Sequence, residues 1–261
     1  MIIGFKKIHL KSHELSTVYR QEEKDFLSIL DQIRNNTQDE GTLQLLNKRV
    51  FRNDLPFEAP YITLCATNAK AKAINAKRLQ QLKGASKAFQ ATTEGLFPDK
   101  MQPTDDILFL KENAQVMFIK NDTQGRYVNG SLGIVKELKE ESVIIEMDEN
   151  QKVIELSREE WEIIEYKWSD KESKLQSSVI GKFRQYPIKL AWAITIHKSQ
   201  GKTFEKVVVD LGWGAFAHGQ TYVALSRVKK LSGLAIRNPI TSKDIQVDEK
   251  VIDFYQTFVR G

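Results

Sequence analysis

Leu190 to Leu211 reads LAWAITIHKSQGKTFEKVVVDL, and its sequence of apolar and polar blocks decides the fold. An apolar run stops at Thr195, and a polar turn carrying His197, Lys198, Ser199, Gln200 and Gly201 follows. Val207 to Leu211 is then uninterrupted apolar sequence apart from Asp210. The pattern predicts strand, loop, helix start and strand, which brings backbone N–H groups and short polar side chains to a place where a phosphate can sit. Farther on, Tyr222 to Ile236 reads YVALSRVKKLSGLAI and predicts a short helix ending at Arg227, so that a cation is held in a fixed position.

Two stretches imitate nucleotide-binding motifs without being them. Gly201-Lys202-Thr203 matches the end of a GxxxxGK[ST] loop, but the glycine required five residues earlier is Ile196, and the preceding strand is the wrong one. Val143 to Glu149, VIIEMDE, looks like an acidic magnesium box. Glu146 interrupts its apolar run, so a half-exposed strand of alternating pattern is the better account. No other His, Cys or acid has metal-ligand spacing to His197, and no metal site is expected.

Composition sets the outer limits. With 261 residues, 41% apolar and 28% charged, the chain is long enough for one large or two small globular domains. The single cysteine, Cys65, lies in the apolar run YITLCAT and reads as a buried strand thiol, which fits a reducing cytoplasm. The start MIIGFKK is too short for a signal peptide, and no apolar run reaches membrane-spanning length. Net charge is +5, and Lys182 to Lys206, with six bases against Glu205, carries all of it. Lys136 to Glu172 is strongly acidic by contrast. A positive excess on the polar-turn block is what contact with a phosphate backbone requires.

The rest of the chain alternates strand and helix. Glu14 to Gln21 predicts a strand and Glu22 to Arg34 a helix with Phe26, Ile29, Leu30 and Ile33 on its buried face. Tyr61 to Ala66 predicts a strand, and Thr67 or Asn68 caps a helix over Ala69 to Leu82. Leu234 to Ile236 is another short strand, and Val251, Ile252, Tyr255, Phe258 and Val259 mark a last helix. Strands apolar on both faces and separated by helices argue for α/β architecture, a parallel sheet covered on both sides. From Ala114 to Tyr186 the rhythm changes to short alternating segments split at Gly125, Asn129-Gly130 and Glu149-Asn150, which predicts a small antiparallel barrel or meander inserted into the sheet domain. Trp192 is expected in the core. Tyr127, Trp161 and Trp168 could stack on bases, but the acidity of this segment favours packing for both tryptophans.

The blocks LAWAITIHKSQGKTFEKVVVDL and GQTYVALSRV closely resemble motifs V and VI of superfamily 1 DNA helicases, specifically the RecD-like branch. The resemblance implies a second RecA-like domain over 1–113 and 187–261, with an SH3-like β-barrel inserted over 114–186 that carries a similar NGSLG turn. It implies that Arg227 is the finger contacting the γ-phosphate of ATP, and that Arg20, in VYRQ, is the motif IV cation at the same cleft. Gln200 and Gly201 would turn toward the nucleotide, although Gly201 is equally accounted for by backbone geometry. Thr195, His197, Lys198 and Ser199 are the candidates for single-stranded DNA phosphates, and Thr67, Asn68 and Lys70, in TNAKAKAIN, resemble a further DNA-touching motif. Capping explains Thr67 and Asn68 as well. ATP and magnesium are implied as cofactors, bound mainly by an N-terminal P-loop domain that these residues do not contain, in a cytoplasmic monomer moving 5′ to 3′. The rival reading is a non-enzymatic nucleic-acid-binding module with a helicase-like fold, in which Arg227 and Gln200 would have no purpose.

Overall fold

In the computed structural model of the chain, residues 20–21, 23–51, 60–170 and 172–258 are described. Most of the strand expected at Glu14 to Gln21 therefore lies outside the described residues. In chain order the elements begin with helices α1 (Lys24–Asn35) and α2 (Glu40–Asn47), strand β1 (Ile62–Cys65) and helix α3 (Asn68–Gln81). Strands β2 (Lys87–Gln90), β3 (Thr92–Gly95), β4 (Ile107–Leu110), β5 (Gln115–Phe118), β6 (Leu132–Leu138), β7 (Val143–Met147) and β8 (Val153–Leu156) follow. Next come β9 (Glu159–Ser169), β10 (Lys174–Gln185), β11 (Ile188–Leu190), β12 (Ala193–Thr195) and β13 (Val207–Asp210). Helix α4 (Gln220–Leu225), strand β14 (Leu234–Ile236) and helix α5 (Glu249–Phe258) close the series. Two compact units result, one from the segments up to Ala71 and from Ile194 onward, the other Lys72–Ala193.

The first unit is built on a four-stranded sheet in the order β12-β1-β13-β14, with β1 parallel to β13 and β13 parallel to β14. Every residue of β1, β13 and β14 is buried, so both sheet faces are covered, as continuous apolar strand sequence requires. In α1 the expected face of Phe26, Ile29, Leu30 and Ile33 is buried, each side chain contributing about 1.5–3 kcal/mol. The helix ends at Asn36, whose left-handed backbone (φ 55°) lets its N–H reach the carbonyls of Gln32 and Ile33. Helix α2 was not expected from apolar periodicity. It starts where the Asp39 carboxylate accepts the Thr42 N–H at 2.7 Å.

The second unit holds a five-stranded sheet, β11-β5-β6-β7-β8, a three-stranded sheet, β3-β10-β9, and the β2–β4 pair. The alternation read in VIIEM is real, with Val143, Ile145 and Met147 buried and Ile144 and Glu146 half-exposed. Gly133 of the NGSLG turn region is needed for room, because a Cβ there would lie 2.5 Å from Ile145 Cγ2. No closed barrel forms among the described residues. The five-stranded sheet is an open meander whose ends, β11 and β8, do not pair, and the long strand before β11 is committed to β9 and β3 instead.

This unit is wider than the 114–186 segment that the change of rhythm marks. Phe89, Leu108 and Leu110 pack in one core with Val116, Phe118, Tyr186, Ile188 and Trp192, and the Gln185 amide donates to Phe89 O at 2.7 Å. Trp192 is core, as expected, and Tyr127 stacks on Phe118 with ring centres 4.1 Å apart rather than facing solvent. Trp161 packs near Phe183. Trp168, expected to pack, instead projects from the β9–β10 ribbon on an exposed face with Tyr166 and Leu175, since nothing described covers that part of the two-stranded arm. No helix among the described residues is long and apolar enough to cross a membrane.

Candidate functional site

Two turns at neighbouring strand ends form the first part of the site. Strand β12 lies beside β1, and the Ile196 N–H donates to Cys65 O at 2.9 Å, which holds the turn after β12 next to the turn after β1. Ligands of open α/β sheets bind outside the carboxyl ends of strands, the place these turns occupy. His197 to Ser199 makes a single 3-10 turn. Ser199 is fully buried and its hydroxyl donates to Ile196 O at 2.6 Å, while buried Thr195 accepts the Lys198 N–H through Oγ1 at 3.4 Å. These two residues shape the turn from inside, and His197 and Lys198 are the ones exposed to a ligand. On the β1 side Thr67 and Asn68 are exposed, and Thr67 Oγ1 caps α3 by accepting the Lys70 N–H at 3.3 Å. Lys70 itself is half-buried, its Nζ 2.7 Å from Oδ1 of buried Asp210. That carboxylate also accepts the Gly212 N–H.

The second part is a pair of arginines. After the 3-10 turn, exposed Gln200 and Gly201 lead into Lys202 and Thr203. Gly201 has φ 77° and open space where a Cβ would stand, so a glycine is needed there for its backbone angle and not for room. Phe204 then pairs with the segment after α4, its N–H donating to Arg227 O at 2.9 Å. Helix α4 ends at Leu225, two residues before Arg227, and the guanidinium folds back on it. Nε donates to Val223 O at 2.9 Å, Nη2 to Ser226 Oγ at 2.7 Å and Nη1 to Lys202 O at 3.4 Å. A cation over the last carbonyls of a helix is also well placed electrostatically.

Arg20 reaches the same spot from the other end of the chain. Its Nε donates to Thr203 Oγ1 at 2.8 Å and its Nη1 to Ser226 O at 3.1 Å, and the Gln21 amide donates to Ser226 O and Val228 O. Among the described residues neither guanidinium has a carboxylate partner. Burial pushes the Arg227 guanidinium down to about 10, with the charge of Arg20 adding to the effect and Tyr222 opposing it. Burial also lowers the Lys202 ammonium. Arg227 still carries its charge at neutral pH. Two like charges held together by neutral acceptors, one of them nearly buried, make a site whose electrostatics call for an anion.

Lys202, Thr203, Gln21 and Ser226 were not anticipated as parts of this site. The GKT triplet is the sequence signal for two of them: it forms no P-loop, and its threonine accepts from Arg20. Asp210 could not be anticipated, since only folding brings it to Lys70, 140 residues away. Among the described residues no cluster of three His, Cys, Asp or Glu could hold a metal ion.

The site thus joins exposed polar turns at the strand ends of an α/β sheet to an arginine pair that has no carboxylate partner among the described residues. No protein-family model matches the chain. Its sequence and fold are homologous to Pif1 superfamily 1 DNA helicases. It is 30% identical over 264 residues to the ATP-dependent DNA helicase Pif1 of Bdellovibrio bacteriovorus, covering 98% of this chain and 55% of that protein. With the PIF1 helicase of Xenopus laevis it shares 34% identity over 260 residues, 96% of this chain and 38% of the other. Unliganded Pif1 from Bacteroides sp. superposes with a TM-score of 0.82 at 34% identity, covering 93% of this chain and 56% of that one. The Bacteroides Pif1 structure in complex with ADP-AlF3 and ssDNA superposes with a TM-score of 0.74, at 34% identity, over 94% of this chain and 56% of that one. The chain thus spans about half the length, or less, of the relatives it matches.

Proposed function

We propose that this chain is the second RecA-like motor domain of an ATP-dependent DNA helicase, of the RecD-like branch of superfamily 1. The observation that carries the proposal is the Arg20–Arg227 pair, two guanidinium groups that meet at Ser226, Arg20 reaching its carbonyl and Arg227 its hydroxyl, without a carboxylate partner among the described residues. An arginine of this kind acts by neutralising charge on a phosphoryl group in transfer. In its present position Arg227 rests on α4, and a triphosphate presented by a P-loop domain would draw it across the cleft. Gln200 and Gly201 lie on the segment that joins the arginine site to the turn of His197 and Lys198. Nucleotide state and strand contact would be linked through that segment. Homologous Pif1 has been crystallised with ADP-AlF3 and ssDNA together, which supports both ligands for the whole protein.

The residues present fit part of an ATP-magnesium site. They supply cations for phosphate oxygens and, among the described residues, no carboxylate cluster for the metal. Magnesium and the phosphate cradle would come from the P-loop domain, and the metal's contribution when bound is to neutralise charge on the β- and γ-phosphates. Residues 114–186, together with the flanking strands that complete the wider unit Lys72–Ala193, are read as the insertion into the motor domain, and single-stranded DNA as the polymer that crosses the turns of Thr67, Asn68, His197 and Lys198. The deciding experiment is DNA-stimulated ATP hydrolysis by the full-length protein, wild type against Arg227→Lys. A collapse of kcat with DNA affinity retained is expected, and an unchanged kcat would remove the proposal.

A further inference from the structure

Strand β13 lies directly beside β1, so the loop after it emerges about 5 Å from the turn that carries Thr67 and Asn68. That loop reads Leu211-Gly212-Trp213-Gly214, and Trp213 is wholly exposed, at 109% of the reference accessibility. Phe216, on the same loop, is 62% exposed. An exposed tryptophan on a floppy loop would mean little. This one is presented by a backbone tied down on both sides. Before it, the Gly212 N–H donates to Asp210 Oδ1 at 3.0 Å and the Gly212 carbonyl accepts from Asn238 Nδ2 at 3.1 Å. After it, the Gly214 N–H donates to Leu211 O at 3.2 Å and the Ala215 N–H to Asp244 Oδ1 at 3.4 Å. Both glycines have positive φ, 68° and 128°, and a Cβ on Gly214 would come within 2.9 Å of Asp244 Oδ1. The sequence of the loop is therefore fixed around its aromatic ring, which no described residue covers.

Behind the ring lies an open cleft of about 690 Å³ whose lining includes Lys70, Asn238, Thr241, Lys243 and Asp244. Its charges nearly cancel, since Lys70 is paired with Asp210 and the lining holds one further cation, Lys243, and one anion, Asp244. A cleft without net charge suits a phosphate poorly. Amide, hydroxyl and carboxylate groups beside a flat apolar surface suit a nucleobase, which brings a π-face and polar edges.

We propose that Trp213 is a stacking platform for a base of single-stranded DNA, next in line along the strand ends after the turns of β12 and β1, with the cleft behind it receiving the edge of that base. The proposal rests on the strand track assigned above, and it adds a contact to the bases where that track holds only phosphates. Stacking on an aromatic side chain is tolerant of sequence, as a translocating protein needs.

The test is the affinity of the full chain for fluorescent oligothymidylate, with Trp213→Ala, Trp213→Phe and Lys198→Glu compared with wild type. Trp213→Ala should weaken binding roughly 5- to 100-fold, Trp213→Phe should keep most of the affinity, and neither should alter the salt slope, since no charge is removed. On a strand of the same length made of abasic sites, the Trp213→Ala penalty should vanish. Melting temperatures of both Trp213 variants should equal wild type because the ring is wholly exposed. If Trp213→Ala binds oligothymidylate like wild type while Lys198→Glu binds it weakly, the platform is wrong and the track stands. If neither substitution matters, the track itself falls, and the platform with it. An equal Trp213→Ala penalty on abasic DNA would also overturn the proposal, because the ring would then act through something other than a base.

Discussion

Arg227 is both a structural and a candidate catalytic group, and its geometry separates the two. Three hydrogen bonds to Val223 O, Ser226 Oγ and Lys202 O tie it to α4 and the adjoining loop. Arg227→Lys keeps one charge and loses the planar fork, so stability should fall by about 1–2 kcal/mol, as expected for lost neutral-acceptor bonds. If the residue also meets a transferring phosphoryl group, kcat for DNA-stimulated hydrolysis in the full-length protein should drop by about 10³ or more. That loss should persist on cooling far below the melting temperature, with nucleotide KM little changed. Recovery of activity in the cold would mark Arg227 as structural only. Lys70 poses the opposite case. It was a DNA candidate, but its ammonium is the partner of Asp210, which is 3% exposed. Removing one member of such a pair leaves a buried charge behind, so Lys70→Ala should destabilise the fold by about 1–3 kcal/mol. Strand affinity, measured well below the melting point, should change less than it does for Lys198→Glu. An affinity loss larger than that of Lys198→Glu, with an unshifted melting curve, would restore Lys70 to the nucleic-acid surface.

Among the elements, the turn between β5 and β6 carries the clearest pH signature. Arg126 grips Asp122 with Nε and Nη2 at 2.8 Å each, and its own N–H donates to the same carboxylate. These contacts, the Arg126 side chain first, hold the Asp122 carboxyl down at about 2. A carboxyl depressed in the folded state contributes stability that is present above its unfolded value near 3.8 and is lost as pH falls from there through 2. With the side chain only 3% exposed, the contribution is on the order of 2 kcal/mol. Urea unfolding at pH 6 and at pH 2.5 should therefore differ more for wild type than for Asp122→Asn. Equal pH dependence in the two proteins would show that the turn holds together without the ion pair. Elements also differ in how well they announce themselves. The alternation in VIIEM and the helical spacing of Phe26, Ile29, Leu30 and Ile33 are strong because each buries one face. Helix α2 rests on a cap at Asp39 and two buried side chains, Thr42 and Leu46, too few for a visible period.

At the scale of the whole molecule, the second unit should not tolerate removal at the limits its rhythm suggests. Replacing Ala114 to Tyr186 by a short linker would leave Phe89, Leu108, Leu110, Ile188 and Trp192 without the core they share. Five uncovered side chains at about 2 kcal/mol each approach the whole stability of a typical domain, about 5–15 kcal/mol, whereas closing the linker costs far less. The deletion should lose cooperative unfolding of Lys72–Ala193, and a sharp urea transition with native secondary structure would contradict the shared core. The sequence alone determined what depends on neighbours along the chain. It determined the buried parallel strands, the amphipathic helix, the alternating meander, the polar turn after Thr195 and the presence of two arginines in motif-like surroundings. Only the tertiary structure decided that Ser199 and Thr195 face inward, that Lys70 belongs to Asp210 and that Arg20 meets Arg227 at Ser226. It also decided that the meander stays open and that the Trp213 ring is left uncovered by the described residues. Each of these depends on groups far apart in sequence sharing burial and charge, and periodicity along one segment carries no information about such partners.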